Sequence, residues 1–321
     1  MRLAFLFPGQ GAQFVGMGRA FFEAEPAARR AIEQAGAACG LDLPELCLRG
    51  PEARLVETEV TQPAILAVSA AILAVLAERG VAPAAAAGLS LGEYGAVLAA
   101  GAAELGPLAR LVRLRGRYMQ EAVPLGSGGM AAVLGLGLAE TARLCAAAVA
   151  ELPDPPPGGW VLSPANLNAP GQIVIAGHLA AVRRAAELGR AFGARRVAPL
   201  PVSAPFHCAL MGPAAERLRP ELEALPLRRA AVPVVGNAAA EPAHEPADLR
   251  AALLRQVTEP VRWEECVRRL GVMGCDTFLE VGPGRTLTTL LPRILPEARG
   301  FALGDPQALT ACLQELGGPC G

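Results

Sequence analysis

Lysine is absent from this chain of 321 residues, so its 29 basic residues are all arginines, and 30 acidic residues offset them. The formal net charge of −1 leaves no general surplus of positive charge for a phosphate backbone, and we expect no nucleic-acid partner. Histidine is scarce, with three in the chain. A reaction that needs an imidazole base therefore has three candidates.

Closely spaced cysteine pairs are also missing. None of the eight cysteines stands in a Cys-x-x-Cys pair, the spacing typical of structural zinc sites and of thioredoxin-like redox motifs. We therefore expect no metal and no redox chemistry, and we interpret the cysteines as small apolar residues in the core. They are Cys39, Cys47, Cys145, Cys208, Cys266, Cys275, Cys312 and Cys320.

Long hydrophobic segments are lacking, although 52% of the residues are hydrophobic. The most apolar run, residues 64–77, ends at Glu78 and is shorter than the roughly 20 residues that span a bilayer. It predicts a buried helix. At the N-terminus, LAFLF is followed at once by Pro8 and Gly9, which leaves too short a hydrophobic region for a secretory signal. The sequence predicts a globular, cytoplasmic chain without a membrane span.

Strand and helix patterns alternate along the chain. LAFLF predicts a buried strand, and helical patterns cover residues 19–38 and 62–79. From residue 124 to 198 the order is strand, helix, two strands, helix and strand, a βαββαβ arrangement, and the later runs VPVVG and FLEVGPG resume the first pattern. We predict an α/β protein. Its large, α/β-hydrolase-like catalytic subdomain comprises residues 1–123 and 199–321, and the inserted small ferredoxin-like subdomain comprises residues 124–198.

The stretch GLSLGEYGA places Ser90 in a Gly-x-Ser-x-Gly pattern. Small residues around such a serine permit a sharp strand-to-helix turn that exposes its hydroxyl group. The four alanines before Gly88 are weak strand formers, whereas the residues after Gly92 are typical of the helix that such a turn would begin. Ser90 is therefore a candidate nucleophile.

A serine nucleophile needs a base within hydrogen-bonding distance, usually a histidine. His244 lies in a polar segment and His178 at the end of an apolar run, and for both a surface or structural role is the simpler interpretation. His207 lies among prolines and apolar residues in PVSAPFHCALM, as expected for an imidazole on a rigid loop. It is the candidate base.

Eight sequence blocks are distributed over almost the whole chain: PGQGAQFVGMG, TQPA, GLSLGEY, RGRYMQEAVP, NLNAPGQIVIAGH, PVSAPFHCALM, RQVTEPVRW and EVGPG. In this order they resemble the blocks of malonyl-CoA:acyl carrier protein transacylases. The resemblance implies transfer of a malonyl group from coenzyme A to the phosphopantetheine thiol of acyl carrier protein, for fatty-acid or polyketide synthesis. It also implies a monomer that needs no cofactor or metal, and no membrane.

The resemblance assigns roles to individual residues. Ser90 corresponds to the nucleophile that carries the malonyl group, and His207 to the base, which a backbone carbonyl near Gln256 orients in place of an aspartate. The backbone N–H groups of Gln10 and Leu91 correspond to the oxyanion hole. Such donors stabilise the negative charge that develops on the thioester oxygen.

Three arginines, Arg113, Arg115 and Arg117, stand close together in LVRLRGRYMQ, and the residues alone do not distinguish among them. The resemblance selects Arg115 as the partner of the malonyl carboxylate. A guanidinium in an apolar pocket can hold a carboxylate through two parallel charge-assisted hydrogen bonds. Leaving a buried charge unpaired costs about 3–5 kcal/mol, enough for roughly 100-fold selectivity against acetyl groups.

Three further positions bear on specificity. Leu89 stands where most members of the family have histidine, and we expect altered packing with activity retained. Phe206, before His207, is expected to fill the space that an α-methyl group would need and so to favour malonyl over methylmalonyl. Gln62, in the TQPA block, is expected to line the same pocket.

Two other functions remain as alternatives. The first is an acyl-thioester hydrolase of the same fold that edits carrier-bound acyl groups, although Arg115 has no use for a monocarboxylic acyl group. The second is a catalytically silent module that binds a carrier protein. The presence of Ser90, His207 and Gln10 disfavours that module.

Overall fold

Residues 1–202 and 204–317 are described by a computed structural model. Its strands form two separate sheets, one of six strands and one of four. The strands are β1 (Leu3–Phe7), β2 (Ala85–Gly88), β3 (Gly128–Leu134), β4 (Leu162–Ala169), β5 (Gln172–His178), β6 (Arg196–Pro199), β7 (Val234–Val235), β8 (Pro242–Ala243), β9 (Thr277–Glu280) and β10 (Arg299–Ala302).

Helices flank both sheets, and a short 3₁₀ turn covers Ala209–Met211. The helices are α1 (Arg19–Ala24), α2 (Pro26–Cys39), α3 (Leu43–Leu48), α4 (Glu52–Leu55), α5 (Thr58–Glu78), α6 (Gly92–Ala99), α7 (Leu105–Glu121), α8 (Leu138–Ala150), α9 (Leu179–Leu188), α10 (Gly212–Ala224), α11 (Pro246–Arg255), α12 (Trp263–Val272), α13 (Thr286–Ile294) and α14 (Pro306–Glu315).

The six-stranded sheet has the order β10-β9-β1-β2-β7-β8 and is parallel except for the antiparallel edge strand β8. All five residues of β1 are apolar, as expected for a strand with both faces covered. Its neighbour β2 has the sequence AAAG, which is weak in strand propensity, yet it is fully buried between β1 and β7. Packing from both sides thus overrides the propensity of the alanines.

Helix α5 packs against α2, α6 and α7 in the large layer, which is the six-stranded sheet with the helices around it. The small layer is the four-stranded sheet with α8 and α9. Helix α5 begins at Thr58, four residues before the predicted start, and continues through Pro63 to Glu78. The prediction that this segment is too short to span a membrane was wrong about its length, since its 21 residues are long and apolar enough to do so. The same window is 83% buried inside the protein, as predicted for a core helix.

A predicted helix over residues 19–38 is interrupted. The chain forms α1 and then α2, because Glu25 is extended and Pro26 opens the second helix. Proline fits the first turn of a helix, where its missing N–H is not needed, but it disfavours helical backbone in the residue before it. Pro26 therefore explains why the helix is interrupted at Glu25.

The four-stranded sheet has the antiparallel order β4-β5-β3-β6, with α8 and α9 packed on one face. This is the predicted ferredoxin-like βαββαβ arrangement, and the α/β fold class is confirmed. Side chains of β5 alternate between two cores. Val174 and Ala176 join the core of the large layer, whereas Ile175 packs toward the helices. The boundaries of the two subdomains stay a prediction.

Seven of the eight cysteines lie in the described part of the chain, and all seven are buried with free thiols. Cys320 lies outside the described residues. The interpretation of these seven as small apolar residues of the core agrees with their burial.

Candidate active site

The candidate site lies at the carboxyl ends of the parallel strands, where α/β proteins commonly bind ligands. Gln10 follows β1, Ser90 follows β2 and Asn237 follows β7, and these three strands are neighbours in the sheet. Helix α7 adds Arg115 from the side. The loop before the 3₁₀ turn adds His207.

Ser90 occupies a strained turn between β2 and α6. Its φ angle is 54°, in the left-handed region that side chains other than glycine seldom adopt. The flanking glycines are required by close approach of the backbone. A Cβ on Gly88 would lie 1.9 Å from the carbonyl carbon of Gly92, and a Cβ on Gly92 would lie 2.0 Å from the oxygen of Phe7. This turn has the geometry that the Gly-x-Ser-x-Gly pattern predicts.

His207 lies directly against this serine. The distance from Ser90 Oγ to His207 Nε2 is 2.7 Å, and His207 Nδ1 is 2.5 Å from the backbone oxygen of Gln256. A carbonyl can only accept a hydrogen bond, so Nδ1 carries the proton and Nε2 is free to accept one from the serine. Burial, together with the charge of Arg115, lowers the pKa of His207 to about 3. The imidazole is therefore neutral at pH 7.

Arg115 is the charged group of the site, and 1% of its surface is exposed. Nη1 donates to Gln62 Oε1 at 2.8 Å, and Nη2 donates to Gln256 Oε1 at 2.6 Å and to Ser90 Oγ at 3.2 Å. Its Nε has no hydrogen-bond partner within residues 1–202 and 204–317. The guanidinium is thus held by two neutral amides, with a buried N–H left over, and burial lowers its pKa.

The two neighbouring arginines are placed differently. Arg113 donates to the backbone oxygen of Cys39, and Arg117 is exposed with its guanidinium over the ring of Tyr118. Neither has a hydrogen bond to Ser90 in the part of the chain that the structure describes. Of the three arginines, Arg115 is thus the one that lies against Ser90.

The candidate oxyanion hole consists of the backbone amides of Leu91, directly after the serine, and of Gln10, in the loop after the neighbouring strand β1. Leu91 immediately precedes the first residue of α6, and Gln10 lies in the turn after β1. Among the described residues, neither backbone N–H donates a hydrogen bond within the protein. Both remain available to a ligand oxygen. The side chain of Gln10 reaches Thr58, with Nε2 at 3.5 Å from Oγ1.

Two residues of this site were missed by the sequence analysis. Asn237 holds the turn: Ser90 N–H donates to Asn237 Oδ1 at 2.7 Å, and Asn237 Nδ2 donates to the oxygen of Gly88 at 2.7 Å. Glu93 Oε2 accepts from the backbone N–H of Asn237 at 3.0 Å and from Gln256 Nε2 at 2.9 Å. Glu93 stands in the GLSLGEY block, so its closeness to Ser90 in the sequence could have identified it as a residue of the site. For Asn237 the available signal was its place after the strand run VPVVG.

Among the described residues, no arginine forms an ion pair with the carboxyl group of Glu93. Glu93 is 1% exposed, and burial raises its pKa to about 7 despite hydrogen bonds from Gln256 and Asn237. Gln256 connects it to the reactive groups. The amide nitrogen of Gln256 donates to Glu93 and to Ser90 O, and its amide oxygen accepts from Arg115. In its ionised form Glu93 accepts only, and it then fixes which end of this amide faces the arginine.

The remaining predicted positions lie near the site or away from it. Phe206 is buried beside His207, in the core of the large layer. The half-buried Leu89 packs against the core on the other face of the sheet. His178 Nδ1 accepts from the backbone N–H of Val161, and His244 Nδ1 lies 3.2 Å from the oxygen of Ala230. Neither histidine contacts Ser90, as the structural interpretation predicts.

Comparison with known proteins places this geometry in a family. Residues 4–302 match the model of the acyl transferase domain. The malonyl CoA-acyl carrier protein transacylase of Escherichia coli K12 is 44% identical over 314 residues, which cover 98% of this chain and 99% of that protein. The chain belongs to this family of transacylases. It is therefore an acyltransferase, and the resemblance drawn from the sequence blocks is confirmed.

Other members of the transacylase family agree in length and fold. The malonyl CoA-acyl carrier protein transacylase of Bacillus subtilis 168 is 42% identical, with 98% of this chain and 97% of that protein covered. A crystal structure of an acyl carrier protein S-malonyltransferase from Vibrio cholerae superimposes with a TM-score of 0.92 at 42% identity, covering 97% of this chain and 100% of that one.

One solved relative is described together with its partner. It is a malonyl-transacylase in complex with a type II PKS acyl-carrier protein, with a TM-score of 0.93 and 42% identity. The match covers 98% of this chain and 100% of that chain. The transacylase fold thus extends over nearly the whole of the present chain.

No metal centre is evident in the described ranges, 1–202 and 204–317. They contain no group of three or more histidine, cysteine, aspartate or glutamate side chains arranged to hold a metal ion. A cavity of about 770 Å³ lies beside Gln10. Its lining includes Thr58, Arg117, Gln120 and Val202.

Proposed function

We propose that this chain transfers the malonyl group of malonyl-CoA to the phosphopantetheine thiol of acyl carrier protein, through a malonyl ester on Ser90. One observation carries the proposal: a buried guanidinium lies 3.2 Å from the hydroxyl group that His207 is placed to activate. A serine beside an imidazole suits acyl transfer in general. The added positive charge suits an acyl group that ends in a carboxylate.

In the first half-reaction, Ser90 Oγ attacks the thioester carbonyl while the neutral His207 Nε2 accepts its proton. The backbone carbonyl of Gln256 holds the imidazole in this tautomer and stabilises the cation that forms. The carbonyl oxygen becomes an oxyanion, which the free N–H groups of Gln10 and Leu91 stabilise. Collapse of this tetrahedral intermediate breaks the C–S bond, and the departing coenzyme A sulfur receives the proton from His207.

In the second half-reaction the same groups act on the carrier thiol. His207 accepts the thiol proton, the sulfur attacks the ester carbonyl, and Ser90 Oγ leaves with that proton. The malonyl group is thus held first in a thioester with coenzyme A, then in an oxygen ester with Ser90, and finally in a thioester with the carrier. Because no oxidation or activation step is needed, we propose that the reaction uses no cofactor.

Arg115 would distinguish malonyl from acetyl. In the free enzyme its Nη atoms contact the amides of Gln62 and Gln256, which carry no formal charge that could neutralise it. A carboxylate that reaches the guanidinium supplies that charge and can take up the unpartnered Nε–H. An acetyl group leaves the buried charge uncompensated. We further propose that Phe206 restricts space for an α-methyl group, so that malonyl is preferred over methylmalonyl.

The surroundings of the site fit this substrate. The cavity of about 770 Å³ beside Gln10 has room for part of an extended thioester arm. We propose that coenzyme A thioester and carrier protein bind here in turn, and that the enzyme works in the cytoplasm as a monomer.

Intact-protein mass spectrometry after brief mixing with malonyl-CoA or acetyl-CoA tests the proposal, followed by a chase with holo acyl carrier protein. The parent should gain a malonyl adduct that moves to the carrier faster than to water. The Ser90→Ala variant should gain none, and Arg115→Ala should lose most of the preference for malonyl. Equal labelling by acetyl-CoA, with decay to free acid whether or not carrier is present, would instead indicate the acyl-thioester hydrolase. No labelling of the parent would indicate the silent carrier-binding module.

A further inference from the structure

We propose that Asn237 is a positioning residue, whose side-chain amide holds the Ser90 turn in its reactive conformation. This inference rests on the proposed function, because it concerns the placement of the nucleophile named there. Asn237 is fully buried and has no hydrogen bond to Ser90 Oγ, to His207 or to Arg115 among the described residues. It therefore acts through the backbone of the turn.

The position of Asn237 follows from the sheet. Strand β7 pairs with β2 in parallel, with Ala86 opposite Val234 and Ala87 opposite Val235. Beyond these pairs β2 bends into the serine turn, and no further pair between β2 and β7 forms in the described chain. The Asn237 side chain instead binds two backbone groups there, the oxygen of Gly88 and the N–H of Ser90, each at 2.7 Å.

The chemistry of this contact requires an amide. One backbone group is an acceptor and the other is a donor, so the bridging side chain must offer both an N–H and an oxygen. An ionised aspartate offers oxygens only, and would place one of them against the carbonyl of Gly88. A flipped asparagine would place its NH₂ group against the N–H of Ser90, so the contact also fixes the orientation of the amide.

The backbone of Asn237 is itself anchored. Its N–H donates to the buried carboxyl of Glu93 at 3.0 Å, and its oxygen accepts from the N–H of Arg262 at 3.0 Å. The side chain thus extends from a fixed point. The contact can therefore stabilise the φ angle of 54° at Ser90, a conformation that is unfavourable for a residue with a side chain unless its surroundings support it.

The consequence concerns the distance from Ser90 Oγ to His207 Nε2, 2.7 Å in this structure. If the turn relaxes, the hydroxyl group moves away from its base and from the two oxyanion amides. Reaction at Ser90 should then slow for every electrophile, whatever group it carries. A variant that reacts more slowly with malonyl-CoA alone would instead have lost the contact between the Arg115 guanidinium and the malonyl carboxylate.

The test compares Asn237→Asp, which is nearly the same size, and Asn237→Ala with the parent. Two reactions at Ser90 are followed well below the unfolding temperature: labelling by malonyl-CoA, and inactivation by phenylmethylsulfonyl fluoride, which has no carboxylate. We expect both rates to fall by the same factor, roughly 10- to 100-fold, as for loss of a buried hydrogen bond. The KM for malonyl-CoA should change less than kcat.

Thr141→Val is the matched control. Thr141 is also fully buried and donates to a backbone oxygen, that of Gly137 at 2.8 Å, but it lies in α8. Both rates should stay within twofold of the parent in this variant. If the folded Asn237 variants react at parental rates while only their unfolding temperatures drop, Asn237 is merely structural and the inference is overturned. If the parent itself is not labelled, the proposed function fails, and this inference with it.

Discussion

Six side chains that end in an acid, a base or an amide are buried around Ser90 and Arg115, whereas the buried core between the four-stranded sheet and its helices consists of aliphatic residues and one cysteine. From residues 124 to 198, within the described chain, the buried polar side chains are Thr141 and Asn166. Thr141 satisfies its hydroxyl group within its own helix. The six around Ser90 and Arg115 are Gln62, Glu93, Arg115, His207, Asn237 and Gln256.

Backbone strain falls on the reacting residues themselves. Ser90 and His207 have positive φ angles without being glycine, whereas the residue of this kind in the described part of 124–198 is Asp154, exposed in the loop between α8 and β4. Burial of polar groups and backbone strain both reduce stability unless neighbouring contacts compensate. Here those contacts join the groups to one another, from Asn237 through Glu93 to Gln256 and Arg115. Function should therefore be sensitive to small changes at the turns and tolerant of similar changes in the small layer.

The largest effect is expected at the nucleophile and its base. Ser90→Ala or His207→Ala should lower malonyl transfer to holo acyl carrier protein by roughly 10⁴-fold or more, since the pair acts as one unit. The double variant should be little worse than either single one. Quenched assays of malonyl transfer would measure these rates, and thermal unfolding would check that the variants fold. A Ser90→Ala variant that retains 1% of parental transfer would show that another group carries the malonyl group. The same result in His207→Ala would show that another group acts as the base.

The next effect concerns selectivity. Arg115→Ala should reduce labelling by malonyl-CoA roughly 100-fold more than labelling by acetyl-CoA, because the carboxylate then enters the site without its cation. The ratio of the two labelling rates is the measurement. Arg113→Ala is the matched control on the same helix and should leave the ratio unchanged. A ratio that is the same in Arg115→Ala as in the parent would rule out a role in carboxylate recognition.

Much of the fold could be predicted because the decisive signals are local. Apolar runs that end in Pro-Gly marked β1 and β9, and the βαββαβ order of the small layer could be traced from alternating runs. Where a predicted helix boundary was wrong, one local feature explains each difference. Pro26 ended α1 early, and α5 gained a first turn from residues 58–61, which precede its apolar run.

The candidate site was only partly visible in the sequence. A glycine-flanked serine and a short inventory of histidines pointed to Ser90 and His207, and the structure brings these two together. Choosing Arg115 from three adjacent arginines required the family resemblance. Asn237 could not be connected to Ser90 because the two are 147 positions apart. Only the pairing of β2 with β7 makes them neighbours.

A smaller effect is expected from pH. Since burial and Arg115 lower the pKa of His207 to about 3, the base should remain neutral from pH 8 to pH 5. A histidine with the ordinary pKa of about 6.5 would lose roughly 30-fold in rate at pH 5, because only its neutral form accepts a proton. Inactivation by phenylmethylsulfonyl fluoride, which does not titrate, measures this for the parent.

Glu93 provides the control for this pH profile, because burial raises its pKa to about 7. An inflection that disappears in Glu93→Gln belongs to that carboxyl group. A fall centred near pH 6.5 that persists in Glu93→Gln belongs to His207 and contradicts the prediction. The site would then hold a histidine that is far better hydrated than its burial indicates.

The smallest effect on activity is expected in the small layer. Ile175 is fully buried on the face of β5 that packs toward α8 and α9, while its neighbours Val174 and Ala176 face the large layer. Ile175→Val should lower the free energy of unfolding by about 0.5–1.5 kcal/mol through lost packing. Malonyl transfer should stay within twofold of the parent, as measured well below the unfolding midpoint. A tenfold loss in the folded variant would show that strain in this core reaches the Ser90 turn, and the two layers would then be coupled in function as well as in structure.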